Sequence, residues 1–141
     1  MVGGLIASIC ALALAAWAGL AWKARNGKVS AIKADQAASV PGLTQADIGA
    51  MLGSRATLVQ FSSAFCAPCR ATRQILRDVA GTVEGVAHVE IDAESRLDLV
   101  RRLDVRRTPT TLVLGPDGTI THRASGLPSK TDLIAALGVT L

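Results

Sequence analysis

The sequence predicts an α/β fold, a central mixed sheet covered by helices, preceded by one apolar helix long enough to cross a membrane. Three observations carry this. Residues Val2 to Trp22 form 21 consecutive positions without a charge. The remaining chain alternates short β-prone runs with stretches of helical period, the pattern of parallel strand pairing through helical crossovers. Gly115-Pro116-Asp117-Gly118 then joins two neighbouring β-prone runs, which adds an antiparallel hairpin and makes the sheet mixed.

The chain is 141 residues long, room for one ordinary domain besides the apolar segment. Half of it is apolar, too much for a disordered tail. Its length excludes a polytopic transporter, and three cysteines exclude a disulfide-stapled miniprotein. The reading divides it into a membrane anchor (1–24), a basic juxtamembrane linker (25–42) and a folded domain (43–141).

As a helix, 21 residues at 1.5 Å each span roughly 31 Å, matching a hydrocarbon core of about 30 Å. A cleavable signal peptide would carry a basic start and a shorter apolar core, and Met1-Val2-Gly3-Gly4 has no charged side chain. Trp22 would lie at headgroup level. Lys23, Arg25, Lys28 and Lys33 against Asp35 give residues 23–35 a charge of +3 out of the chain's +4. The positive-inside rule therefore places the domain in the cytoplasm, with anionic lipids against the basic flank. Cys10 is read as packing within the span. The rest of the chain lacks Trp, Tyr and a basic face, so nucleic acid is not an expected partner.

Within the domain, Thr44 caps a short helix through Ile48, Met51 and Leu52 that ends at Gly53. Ala56 to Phe61 is a buried strand. Residues 67–80 are helical, with Ile75, Leu76, Val79 and Ala80 on one face and Gly81 closing them. Val86 to Asp92 alternates as a strand, and Ser95 to Leu103 returns to helical period. Thr110 to Leu114 and Thr119 to Arg123 are the hairpin strands. Ser129 caps a last helix containing Leu133, Ile134 and Leu137.

The chemistry lies in Phe65-Cys66-Ala67-Pro68-Cys69-Arg70, which leaves a strand and opens a helix. A Cys-x-x-Cys in that setting reads as a redox pair. At the helix N-terminus the Cys66 thiolate is stabilised by free N–H groups and the macrodipole, while Cys69 lies one turn inside, near enough to attack a mixed disulfide on Cys66. Pro68 fits the first turn, where its missing N–H costs nothing. Arg70 and Arg73 would lower the thiol pKa further. A zinc site with His88 and His122, or two inert core cysteines, stand as alternatives on the residues alone. Arg101, Arg102, Arg106 and Arg107 read as a solvated face, or as a pair (Arg106 and Arg107) that steers acidic substrates.

Arg107-Thr108-Pro109-Thr110 places a proline at a strand entrance about 40 residues after the cysteines, an ordinary edge position by itself. Together with the cysteine motif and the element order, it makes residues 43–141 resemble the thioredoxin family. That resemblance implies a thiol–disulfide oxidoreductase with no bound cofactor and no metal. Cys66 would be the nucleophile and Cys69 the resolving thiol of a redox-active disulfide. Pro109 would be a cis-proline facing them, Thr108 would offer its backbone to an extended substrate, and Gly126 would admit a bound peptide closely.

Five positions depart from the family pattern. Phe65 stands for the usual tryptophan before the first cysteine, Ser62 for an earlier aromatic residue, and Ala67 for the first residue of the usual Gly-Pro. Gln60 stands where a buried aspartate usually takes the resolving thiol's proton, and His88, matching the family's partnering lysine, would move that proton instead. The expected partners are disulfide-containing proteins or peptides and an upstream reductase. A non-catalytic adaptor, or an extracytoplasmic enzyme for secreted proteins or cytochrome maturation, is the alternative.

Overall fold

The structure is a computed structural model that describes residues 2–32 and 41–140. Helix α1 (Val2–Arg25) leads into strand β1 (Ser30–Ala31) and the short helix α2 (Gln45–Ile48). Then follow β2 (Ala56–Ser62), α3 (Ala67–Thr82), β3 (Val86–Asp92), α4 (Leu97–Arg102), β4 (Thr110–Leu114), β5 (Ile120–Ser125) and α5 (Lys130–Thr140). One five-stranded sheet has the order β1-β5-β4-β2-β3, with β2 and β3 parallel and the other pairs antiparallel. This is the mixed sheet the sequence predicts.

Every residue of β2 is buried, because the strand is central and covered on both faces. Val59 and Phe61 point into one core with Ile91, Leu99, Leu103, Leu112 and Leu114. Ala56 and Leu58 point into the other, against Leu76 and Val79 of α3 and Leu133 and Leu137 of α5. The two-residue side-chain period therefore aims Gln60, on the face of Ala56 and Leu58, at α3 and not at solvent.

The element boundaries differ from the sequence reading in several places, among them α3, which runs through Gly81 to Thr82. Thr44 and Asp47 form a reciprocal capping box, but α2 ends after one turn because Gly49 turns left-handed at φ 68°, four residues before Gly53. Gly53 lies against backbone atoms of Ala56, Gly85 and Ala87, where a Cβ would overlap them. Strand β5 runs on to Ser125, extended by its pairing with β4.

The larger correction concerns residues 25–42, read as a linker. Helix α1 continues through Arg25, and Ser30 and Ala31 pair with Arg123 and His122 of β5. The physical reason is that β5 would otherwise be an edge strand with unpaired backbone groups, and the chain arriving from α1 supplies its neighbour. Gly27 makes the turn at φ +79°, buried against the backbone of Leu127, and its N–H donates to the Ser125 carbonyl at 2.9 Å. Helix α1 is thus tied to the domain by hydrogen bonds. Lys33 and Asp35, counted in the basic flank, lie outside the described residues.

From Ile6 to Arg25, α1 has a mean hydropathy of 1.6 and buries none of its side chains in the protein. By length and composition it can cross a bilayer, as a signal sequence also can.

Candidate functional site

Strand β2 delivers the chain to a short turn, and Cys66 takes the N-cap position of α3 with extended backbone (φ −95°, ψ 95°). No side chain caps this helix start, so the first-turn N–H groups and the positive end of the helix dipole face Cys66. Pro68 occupies the first turn as expected. Cys66 and Cys69 are joined as a disulfide with their Cα atoms 5.3 Å apart. Cys66 is part-exposed, whereas Cys69 is 1% exposed beneath it. An external thiol or disulfide can reach the first sulfur and not the second.

The Thr108–Pro109 peptide bond is cis and opens β4, beside β2. The hydroxyls of Ser63 and Thr108 are hydrogen-bonded at 3.0 Å, which ties the turn before Cys66 to the proline loop. The Pro109 carbonyl accepts from the Gly126 N–H at 2.8 Å, so three loops are locked together at one end of the sheet. Gly126 adopts φ +100°, but the space beside it holds the Asn26 side-chain oxygen. The room expected there for a peptide is taken by the chain's own Asn26, brought by the turn at Gly27. Phe65 is fully exposed at the rim of a groove of about 420 Å³ that contains both cysteines, Arg70 and Arg73.

Beneath the disulfide, Gln60 Nε2 donates to the Cys69 carbonyl at 3.0 Å and is completely buried. Its Oε1 finds no hydrogen-bond partner, and neither does the hydroxyl of Thr111, which faces Gln60 across β4. A buried polar atom without a partner is costly, so this spot under Cys69 is a polar gap in an apolar interior. His88 lies on the same sheet face, opposite Leu58. Its Nε2 is buried without a partner. Burial pushes the imidazole below its ordinary 6.5, with the Glu90 carboxylate opposing and Arg77 and Arg73 reinforcing the shift. His88 is therefore neutral at ordinary pH.

Sequence reasoning missed the residue across from Gln60, which is Glu90. Its carboxylate accepts from both Arg73 Nε and a terminal guanidinium nitrogen at 2.6 Å, and from the Ser62 hydroxyl at 2.7 Å. The Arg73 hydrogen bond is the main reason the Glu90 carboxyl sits below its ordinary range. Arg73, expected to act on the thiols, is thus matched by a carboxylate, and Arg70 is the exposed cation left on α3 beside the disulfide.

The remaining basic residues divide. Arg102 pairs with Asp47, and Arg106 with Asp104. The Arg107 guanidinium donates to the Ser125 carbonyl, turned toward the junction of α1 with the domain. His122, on β5, is separated from His88 by β4 and β2 and contacts Thr121, so the two histidines do not come together. Among the described residues no cluster of metal-ligating side chains occurs.

A disulfide at a helix start, one cysteine reachable and one buried, with the loop of the cis Thr108–Pro109 bond tied to the preceding turn through Ser63, is an arrangement suited to thiol–disulfide exchange. The sequence profile of thioredoxin matches residues 39–138. The chain belongs to the thioredoxin family. It is 26% identical over 96 residues to the thioredoxin of Staphylococcus epidermidis, covering 67% of this chain and 91% of that protein. Against the thioredoxin of Staphylococcus aureus the identity is 27% over the same length and coverage. Among solved structures, chloroplastic thioredoxin z superimposes with a TM-score of 0.56 at 25% identity, over 62% of this chain and 79% of that one. A variant of the thioredoxin of Halobacterium salinarum gives 0.57 at 21% identity, over 62% of this chain and 75% of its own. Family membership and the Cys66–Cys69 disulfide support thiol–disulfide oxidoreductase activity.

Proposed function

We propose that the protein is a membrane-anchored thioredoxin that reduces disulfides in proteins or peptides near the cytoplasmic membrane surface. The observation that carries this reading is the asymmetry of the pair, Cys66 reachable at the helix start and Cys69 buried behind it. In the reduced protein the Cys66 thiolate attacks a substrate disulfide, forming a mixed disulfide and releasing one substrate thiolate. The Cys69 thiolate then attacks the Cys66 sulfur, releases the second substrate thiolate and closes the Cys66–Cys69 disulfide. Two electrons pass to the substrate, and an upstream dithiol reductase restores the pair. Thr108 offers its backbone to an extended substrate across from Cys66, and Pro109 shapes that edge.

The Cys69 thiol must lose a proton in the second step. Gln60 has no proton to exchange at physiological pH, so His88, neutral and with a free Nε2, is the base we assign. Its pKa lies below 6.5, so the acid limb of the rate profile falls below that value, where His88 becomes protonated. His88→Gln is expected to remove that limb from the pH dependence of disulfide reduction. An unchanged profile would sink the assignment.

The test of direction is a redox titration of the full chain in detergent, with Cys10 replaced by serine and free thiols trapped at each potential. A two-electron transition near or below about −230 mV is expected for a reductase. A value above about −180 mV would assign an oxidant or isomerase and favour the extracytoplasmic alternative.

A further inference from the structure

Where α1 meets the domain, two cavities adjoin. The first, about 400 Å³, is lined by Arg25, Lys28, Arg107 and Arg123 with Ser30 and Ser125. Among the described residues no carboxylate lines it. Asp104, already paired with Arg106, acts on Arg123 from outside the cavity lining. The second cavity, about 500 Å³, is lined by Trp17, Ala18, Ala21 and Trp22 and shares Arg25 and Arg107 with the first.

The cations are built into the fold. Arg123 sits on β5 opposite Ser30, half-buried, and its guanidinium donates to the carbonyls of Leu103 and Asp104. Arg107 donates to the Ser125 carbonyl, the same oxygen that accepts from Gly27. Four like charges around one cavity repel each other, and a bound anion would relieve that repulsion. Guanidinium forks fit phosphate oxygens closely. A free phosphate would have no use for the aromatic, apolar cavity that continues from the same two arginines.

We propose that this junction binds one anionic phospholipid, its phosphate held by Arg25, Lys28, Arg107 and Arg123 and its glycerol and upper acyl chain lying along Trp17–Trp22. The inference rests on α1 spanning the membrane as proposed above. Because Arg107 immediately precedes Thr108-Pro109, the bound lipid holds the redox face at headgroup level. Disulfides presented at the membrane surface are then the substrates within reach.

The full chain is inserted into nanodiscs of phosphatidylcholine containing phosphatidylglycerol, and lipids retained on the released protein are counted by native mass spectrometry. The wild type is expected to retain one phosphatidylglycerol in preference to phosphatidylcholine by at least about fivefold. The preference is expected to vanish in Lys28→Gln/Arg107→Gln and in Arg123→Gln, and to survive in Arg77→Gln, an exposed cation of α3. Circular dichroism of each variant confirms folding. Lys28 is exposed, so Lys28→Gln alone, expected to weaken the preference, serves should the other variants fail to fold. Insertion without any preference, or an equal loss in Arg77→Gln, overturns the site alone. Displacement of the lipid by inorganic phosphate overturns the phospholipid assignment. A chain that does not insert at all overturns the span and the site together.

Discussion

Replacing Cys66 by serine is expected to cut the reduction of insulin disulfides by at least about a thousandfold, with dithiothreitol supplying electrons. The alcohol is far less acidic than a thiol, so the helix start has no anion to stabilise and no mixed disulfide forms. Cys69→Ser should fail differently. Its Cys66 still attacks, but no internal thiol resolves the product, so pre-reduced protein mixed with substrate after the dithiothreitol is removed accumulates a covalent adduct that a reducing gel dissolves. The pair of outcomes tests the order of the two thiols as well as their need. Activity of Cys66→Ser equal to that of the wild type would instead favour the adaptor, a fold that binds partners without turnover.

The second large effect is expected from Gln60→Asp. The side chain is fully buried beneath Cys69, and its oxygen and the facing Thr111 hydroxyl have no partners. A carboxyl placed there is taken out of water without a cation against it, because Arg73 is matched by Glu90. Desolvation raises its pKa by as much as about 3 units, which corresponds to about 4 kcal/mol. The sign follows from the reference state. The carboxyl ionises in the unfolded chain from about pH 3.9 upward but resists ionisation when folded, so the variant loses stability as pH rises through that interval. Urea unfolding midpoints for the variant should match the wild type near pH 4 and fall steeply toward pH 8, by roughly the stated energy. Parallel curves for the two proteins would mean that the gap beneath Cys69 is wet enough to solvate a charge.

Both expectations draw on a site that was partly legible in the chain itself. The strand-to-helix position of Cys66-Ala67-Pro68-Cys69 was readable because it depends on local signals: a β-prone run, a proline suited to a first turn, and apolar residues at helical spacing. Pro109 was readable only in combination with the cysteines, since a proline at a strand entrance is ordinary by itself. The Glu90–Arg73–Ser62 cluster was not readable. Its members lie on three different elements, and only the parallel register of β2 and β3 sets Glu90 opposite Gln60. Gly126 shows the converse failure. Its positive φ could be anticipated from its type and position, but the atoms filling the space beside it belong to Asn26, 100 residues earlier in the chain.

The stretch after Trp22 misled for a related reason. Its scattered small and polar residues carry no period, and two-residue strands have too few positions to show one. What makes Ser30 and Ala31 a strand is the unsatisfied edge of β5, a property of the assembled sheet. By itself, then, the sequence determined what local chemistry encodes: the apolar N-terminal helix, the order and type of the main elements, the cysteine pair and its polarity along the helix. Tertiary structure alone decided which cysteine is reachable, what lies beneath the disulfide, which arginine keeps its charge free, and how α1 joins the domain. Those are contacts between residues distant in the chain, and their energies depend on burial and register that exist only once the sheet has formed.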